Sequence, residues 1–289
     1  MHPAPSLIVF STLSGLGFGL LAMMGLGVGD TDGWAGLLRF ALGFALAGGG
    51  LLSSTLHLGH PERALLAFTQ WRTSWLSREA WAAVGALALS GLYAALTLAG
   101  TRIAPLGWLA ALACFGTVAS TAMIYAQLRT VPRWHHWSVP VLFLAYAATG
   151  GLVLSGAWAP ALLMLGLTGL GQFAAWRGAD ARVARDPSTV GTATGLGGRG
   201  AVRPFENPHT GPNYLTREMA FRVARRHGLR LRSLALVFGF VAPALLLVLP
   251  GPAVVIVPLA TLVHIGGVML QRWLFFAEAE HVMALYYGP

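Results

Sequence analysis

Stretches of about 20 residues with almost no charge recur along this 289-residue chain, and no other feature narrows its fold so far. A helix needs ~20 apolar residues to cross the hydrocarbon core of a bilayer. Eight such stretches can be drawn, at roughly 6–28, 34–58, 78–100, 104–128, 138–157, 159–176, 233–250 and 253–276. They do not alternate polar and apolar residues, which excludes a transmembrane barrel. The expected fold class is therefore all-α: a polytopic membrane protein, one integral membrane domain over 1–289 built as a bundle of eight transmembrane helices. Charged residues make up only 10 % of the chain, against ~25 % in soluble domains, so too little polar surface exists to coat a globule. The start, Met1-His2-Pro3-Ala4-Pro5-Ser6, has no basic region. The first apolar run therefore reads as a permanent helix, not as a cleaved signal.

The lone cysteine, Cys114, excludes an internal disulfide, a Cys-ligated iron–sulfur cluster and a structural zinc site. No metal site is assigned to the chain, and any such cluster is expected on a partner. All 19 basic residues are arginine and the formal net charge is +9. Cytoplasmic loops of membrane proteins concentrate positive charge, so this excess is read as a topology signal and no nucleic-acid partner is expected.

An even number of spans puts both termini on one face, here side A, with segments 59–77, 129–137 and 177–232. Only Arg39 and Arg102 fall on the opposite side B, which leaves 17 of the 19 arginines on side A. Long loops orient poorly. Setting aside 177–232, with 11 arginines, still leaves 6 against 2. Side A is expected to face the cytoplasm of a bacterial inner membrane. Segment 177–232 is then one long basic cytoplasmic loop. Its residues 187–213 are rich in Gly, Pro, Thr and Asn and fit irregular structure. Residues 215–232 carry Leu215, Met219 and Val223 on one helical face, which suits an interfacial helix that rests on lipid or docks a soluble partner. The glycines at 195–200 lack the preceding strand and the Gly-Lys-Ser/Thr ending of a nucleotide loop. Gly15, Gly17, Gly19 and Gly48-Gly49-Gly50 are read as helix-packing positions.

The densest polar cluster joins the end of the second span to the start of the third. It reads Ser54-Thr55-Leu56-His57-Leu58-Gly59-His60-Pro61-Glu62-Arg63 and then Gln70-Trp71-Arg72-Thr73-Ser74-Trp75-Leu76-Ser77-Arg78-Glu79. His57, in the last turn of one span, and Glu79, in the first turn of the next, are expected at one membrane depth. An imidazole beside a carboxylate can accept and relay protons, and ionisable groups at this depth are costly and often functional. The same residues also suit plain structure: a histidine at a helix C-terminus and a glutamate in a first turn complement the dipole. Ser77 is placed to cap the third span, and Trp71 and Trp75 to anchor it at the interface. The aromatic, basic stretch Tyr125–Trp137 fits a headgroup-level belt, one wall of a pocket or a partner contact. His264 lies deep in the eighth span without a second histidine at its depth, which favours a hydrogen bond to a neighbouring helix over haem ligation. Glu278, Glu280 and His281 are expected to be solvated or partner-facing.

These residues carry a resemblance. Leu56-His57-Leu58-Gly59-x-Pro61-x-Arg63-Ala64, Leu76-Ser77-Arg78-Glu79, the Tyr125–Pro132 stretch ending Thr130-Val131-Pro132-x-Trp134, and Gln271-Arg272 together resemble the DmsC family. Its members are membrane anchor subunits of dimethyl sulfoxide reductase-type molybdenum enzymes. The likeness runs through all eight spans except 177–232. There Pro208-His209-Thr210-Gly211-x-Asn213-Tyr214-Leu215 is similar to the SoeC-type anchors of cytoplasm-facing sulfite dehydrogenases. The resemblance implies a quinone (ubiquinone or menaquinone) site near the face that docks an iron–sulfur subunit. It also implies no bound haem and a third, molybdopterin-bearing catalytic subunit that holds the substrate chemistry. The family's quinol-site histidine and glutamate match His57 and Glu79.

On this basis the chain reads as the membrane anchor and quinone-reactive subunit of a molybdopterin/iron–sulfur oxidoreductase, with no substrate catalysis of its own. His57 and Glu79 are assigned proton chemistry at the quinone, and Arg63, Arg72, Trp75, Arg78 and Tyr125 are grouped with them as cofactor-binding candidates. The expected direction is sulfite oxidation with quinone reduction, and the alternative is quinol oxidation for an S- or N-oxide reductase. The rivals are an anchor without a quinone site, a haem b cytochrome and a transporter. A transporter needs repeat-related broken helices with polar residues at mid-bilayer, and the spans offer few.

Overall fold

The computed structural model describes residues 2–58, 60–206, 208–209, 211 and 224–287, without the side chains of residues 57 and 224–226. Among these residues eight helices are long and apolar enough to cross a membrane. They are α1 (Pro5–Gly25), α2 (Gly33–Ser54), α3 (Trp75–Leu98), α4 (Ala104–Ala126), α5 (Ser138–Ser155), α6 (Trp158–Arg185), α7 (His227–Val248) and α8 (Ala253–Ala277). The protein is an all-α, polytopic membrane bundle, as its apolar runs require.

The bundle is organised about α1, which packs on α2, α4 and α5 and also touches α8. In its apolar stretch 78 % of residues are buried, against 22 % in that of α6. Hydrocarbon offers no hydrophobic drive for helices to associate, so close van der Waals contact must hold them. Gly19 shows how close: a Cβ there would overlap the Ala147 carbonyl of α5. One apolar cluster joins α1 to α5 and takes in Phe276 of α8. A second joins α5–α8 and takes in Met23 of α1. Between α5 and α6 the Thr149 and Thr168 hydroxyls pair at 2.8 Å.

Helix ends depart from the limits of the apolar runs for local reasons. The second apolar run reaches residue 58, yet α2 stops at Ser54. There the hydroxyls of Ser53, Ser54 and Thr55 donate to the carbonyls three residues back, at 2.8, 2.6 and 2.7 Å. Such local bonds compete with the helical ladder. A 3-10 turn, Thr55–His57, follows, so His57 lies just beyond α2 and not in its last turn. Helix α3 begins early, at Trp75, with Ser74 in the N-cap position. Ser77, the expected cap, is instead buried inside the helix with an unpartnered Oγ, and Glu79 falls in the second turn. Helix α6 runs nine residues past the expected 176, to Arg185. Arg182 and Arg185 in its last turn complement the helix dipole. Residues 224–232, expected to end an interfacial helix, continue without a break into α7. Residues 215–223 of that element lie outside the described residues. Midway, α7 passes through a π-helical segment, Val237–Val241.

On side A an ion-pair cluster ties the second half together. Asp180 of α6 accepts from Arg133 at 2.8 Å and from Arg232 of α7 at 2.5 Å. Arg232 also donates to Glu278, just past α8, at 2.8 Å. Trp134 Nε1 donates to the Phe275 carbonyl at 2.9 Å, which fixes the α4–α5 loop against α8.

The Gly19 contact gives a direct test by thermal unfolding in detergent. Gly19→Ala is expected to destabilise the protein by at least ~1–3 kcal/mol through overpacking. Gly15→Ala, four residues away, meets no atom within 4 Å and is expected to be neutral or stabilising by up to ~1 kcal/mol.

Candidate functional site

Glu79 faces inward from α3 and is 5 % exposed. Helix α4 packs directly on α3 and presents Thr117, Thr121 and Tyr125 at four-residue spacing, hence on one face. The Thr121 hydroxyl is hydrogen-bonded to Glu79 Oε1. It also lies 3.1 Å from the Thr117 carbonyl. One hydroxyl carries one hydrogen, so the two contacts define two states. With Glu79 ionised, Thr121 donates to the carboxylate. With Glu79 protonated, the carboxyl donates to Thr121, which then donates to the Thr117 carbonyl. Both states are satisfied, and no cation lies within ion-pair distance of Glu79 among the described residues. A carboxyl so held can gain or lose a proton without rearrangement of the backbone.

One turn along α4, Tyr125 is buried in an aromatic box of Trp134, Phe143, Phe275 and Phe276, with ring centroids at 5.2, 5.9, 5.4 and 5.6 Å. On its other side Thr121 borders a small internal cavity shared with Ser14, Tyr146, His264 and Arg272. His264 Nδ1 is 2.6 Å from the Gly239 carbonyl in the π segment of α7. A carbonyl can only accept, so Nδ1 carries the hydrogen, and Nε2 is left without a partner. The expected bond from His264 to a neighbouring helix is present.

The other candidates lie on the segment leading into α3 (Arg63 and Arg72) and in the first turn of α3 itself (Trp75 and Arg78). Arg63 and Arg72 are exposed, and Trp75 and Arg78 are half-buried. Arg78 donates from Nε to the Trp71 carbonyl at 3.0 Å and from Nη2 to the Arg72 carbonyl at 2.7 Å. Its guanidinium also covers the Trp75 ring at 4.4 Å. These bonds make Arg78 a clasp that closes the loop onto α3. Thr121 links Glu79 to the α4 face that carries Tyr125. Arg63, Arg72, Trp75 and Arg78 form a separate, more exposed group. The backbone of His57 lies in the turn after α2, and its side chain is outside the described residues.

Sequence pattern alone assigns no role to Thr121 or Arg272. The four-residue spacing of Thr117, Thr121 and Tyr125 was a usable signal for the first. For the second the signal was a charge inside an apolar run.

The model of the family "DMSO reductase anchor subunit (DmsC)" matches residues 1–166, more than half of the chain. The chain belongs to this family. It is also 34 % identical to a sulfite dehydrogenase subunit of Allochromatium vinosum, over 99 % of both chains. The anaerobic dimethyl sulfoxide reductase chain YnfH of Escherichia coli is 29 % identical over 52 % of this chain and 56 % of its own. No solved structure matches. As a DmsC-family protein the chain is a multi-pass inner-membrane anchor, a non-catalytic subunit of the molybdopterin oxidoreductase class, and its work is electron transfer. The matched residues 1–166 include Glu79, Thr121 and Tyr125.

The Glu79–Thr121 bond predicts that Thr121→Val, which keeps shape but removes the hydroxyl, lowers stability by about 1–3 kcal/mol by leaving a buried carboxyl unsatisfied. Thr121→Ser should recover most of the loss. Unfolding of the purified variants in detergent measures both.

Proposed function

We propose that this subunit passes electrons between an iron–sulfur partner docked on side A and the membrane quinone pool, with sulfite oxidised on a molybdopterin subunit beyond. One observation carries the quinone reading: Glu79 is buried at the side-A end of the bundle, hydrogen-bonded but ion-paired to none of the described residues. The side-A end of α2, the turn after it and the start of α3 suit an amphiphile on their outer surface, where Leu52, Leu56, Trp81 and Val84 expose apolar side chains. His57 and Glu79 would hold the quinone head, with Tyr125 behind them. A bound quinone supplies two-electron, two-proton redox chemistry at this point.

The chain's own part is to move protons and to hold the loop. Glu79 takes or gives a proton at its carboxyl oxygen, and Thr121 turns its single hydrogen to suit either state. His57 would exchange a proton with the same ligand. Arg78 keeps the 60–74 segment closed over α3. Arg63 and Arg72, exposed on that segment, and Trp75 at the start of α3 would face the partner, and the basic loop 177–232 would extend the same docking surface.

The direction toward quinone reduction rests on likeness to a sulfite dehydrogenase subunit over 99 % of both chains. Quinol oxidation for an S- or N-oxide reductase is the second reading, favoured by the likeness to YnfH.

His57→Ala and Glu79→Gln are each expected to lower quinone-coupled electron transfer by about 100-fold or more, the scale of a lost proton-transfer group. Both should still co-purify with the soluble subunits. Full turnover in either variant removes that residue from the mechanism. Orientation is tested separately by thiol labelling of intact cells. Asp30→Cys should react with an impermeant reagent and Ser188→Cys should not, while the native Cys114 is buried and stays silent. The reverse pattern would place the docking face outside the cell and end the case for a cytoplasmic sulfite-oxidising partner.

A further inference from the structure

A second polar site, lined by neither Glu79 nor Thr121, opens on side A between α5, α6 and α8. The cleft has a volume of about 540 Å³, open mouth included. Arg133, Ser138 and Arg182 stand at its mouth, and Gln172, Gln271 and Arg272 form its floor. Trp176 and Phe143 are among its apolar walls.

The charges around it do not balance. Asp180 and Glu278 supply two negative charges, and both are engaged by Arg232, with Arg133 also on Asp180. Arg182 and Arg272 have no carboxylate partner among the described residues. The field of Arg182 is felt nearby: burial, then this positive charge, holds the His136 imidazole below its usual value.

Arg272 is the more demanding case. It is 2 % exposed in a membrane-spanning helix, and its buried Nε has no hydrogen-bond partner among the described residues. Its guanidinium rests 3.7 Å from the Phe143 ring centroid and 5.0 Å from that of Tyr146. Aromatic faces offset part of the cost of a desolvated cation, but they accept no N–H. Beside it, Gln271 donates to Gln172 at 3.0 Å, as Tyr146 does at 3.1 Å. Gln172 is thereby fixed, and the Gln271 oxygen is left without a donor. An arginine in this state favours an anion that accepts in its guanidinium plane, as phosphate does.

We propose that this cleft binds the phosphate headgroup of an acidic phospholipid from the side-A leaflet, with Arg182 and Arg272 as its two cationic contacts. A lipid is the source that the position favours. The mouth lies at the side-A helix ends, where headgroups stand, and basic pockets between membrane helices are suited to such lipids. The chains would leave along the apolar outer faces of α5 and α6, where Val141, Leu170 and Phe173 are exposed. Neutral lipid would leave the two-charge excess uncompensated. This site is independent of the quinone reading, since Glu79 takes no part in it.

The test titrates the full chain in detergent with phosphatidylglycerol, phosphatidylcholine and inorganic phosphate, with binding read by native mass spectrometry. Phosphatidylglycerol is expected to bind about 30-fold more tightly than phosphatidylcholine, as two arginines near the membrane surface allow, and Arg182→Gln should weaken it about fivefold. Arg272→Gln should weaken it at least as much. If that buried change prevents folding, Arg182→Gln and the lipid preference of the unaltered chain decide alone. Glu79→Gln should bind as the unaltered chain does, which separates this result from any failure of the quinone proposal. Equal binding of the two lipids, no effect of Arg182→Gln, or displacement of the lipid by inorganic phosphate or a short-chain quinone would each overturn the proposal.

Discussion

Close packing of small residues along α1 is the constraint on which the rest depends. In lipid, helices gain little by hiding apolar surface from one another, so backbones must approach until van der Waals contact becomes strong. Gly19 against Ala147 brings α5 within reach, and Gly25 against Gly107 does the same for α4. Once α4 and α5 are set against α1, the face of α4 that carries Thr121 can be shared by α3 on one side and the internal cavity on the other. Two of the polar residues that α1 itself buries are satisfied within the helix. Ser11 and Ser14 return their hydroxyls to the Leu7 and Phe10 carbonyls at 2.8 and 2.6 Å.

How much of this was legible in the sequence follows from the range of each interaction. The eight spans were legible because hydropathy is a sum over local residues, which needs no knowledge of neighbours. Their ends were less so. Three consecutive hydroxyls at 53–55 bend their hydrogens back to the helix and stop α2 before His57, a competition that hydropathy does not register. Glu79 stood out as a charge at membrane depth. Its partner Thr121, 42 residues away, depends on how α3 registers against α4, and one sequence does not contain that register. Arg272 was visible only as part of a Gln-Arg pair. That it lies over Phe143 and has no carboxylate partner among the described residues follows from the packing of α5 on α8.

The two polar places on side A complement each other. Among the described residues Glu79 is an acid without a cation and Arg272 a cation without an acid, and the Tyr125 aromatic box stands next to both helices that carry them. This keeps opposite charges apart in a medium where they would attract strongly. An ion pair between them would neutralise both and leave neither free to meet a ligand. The family model spans the Glu79 half of the molecule. The resemblance to the Allochromatium vinosum protein extends over the Arg272 half as well.

Helix α6 has a mechanical consequence. Its 28 residues make a rod of about 42 Å at 1.5 Å per residue, longer than the ~30 Å hydrocarbon layer. The surplus reaches into the headgroup layer of side A, braced at Asp180 by arginines from the α4–α5 loop and from α7. The height of this helix end is set by protein length and by its ion pairs, so a change in membrane thickness would move the headgroups past it without moving the rod itself.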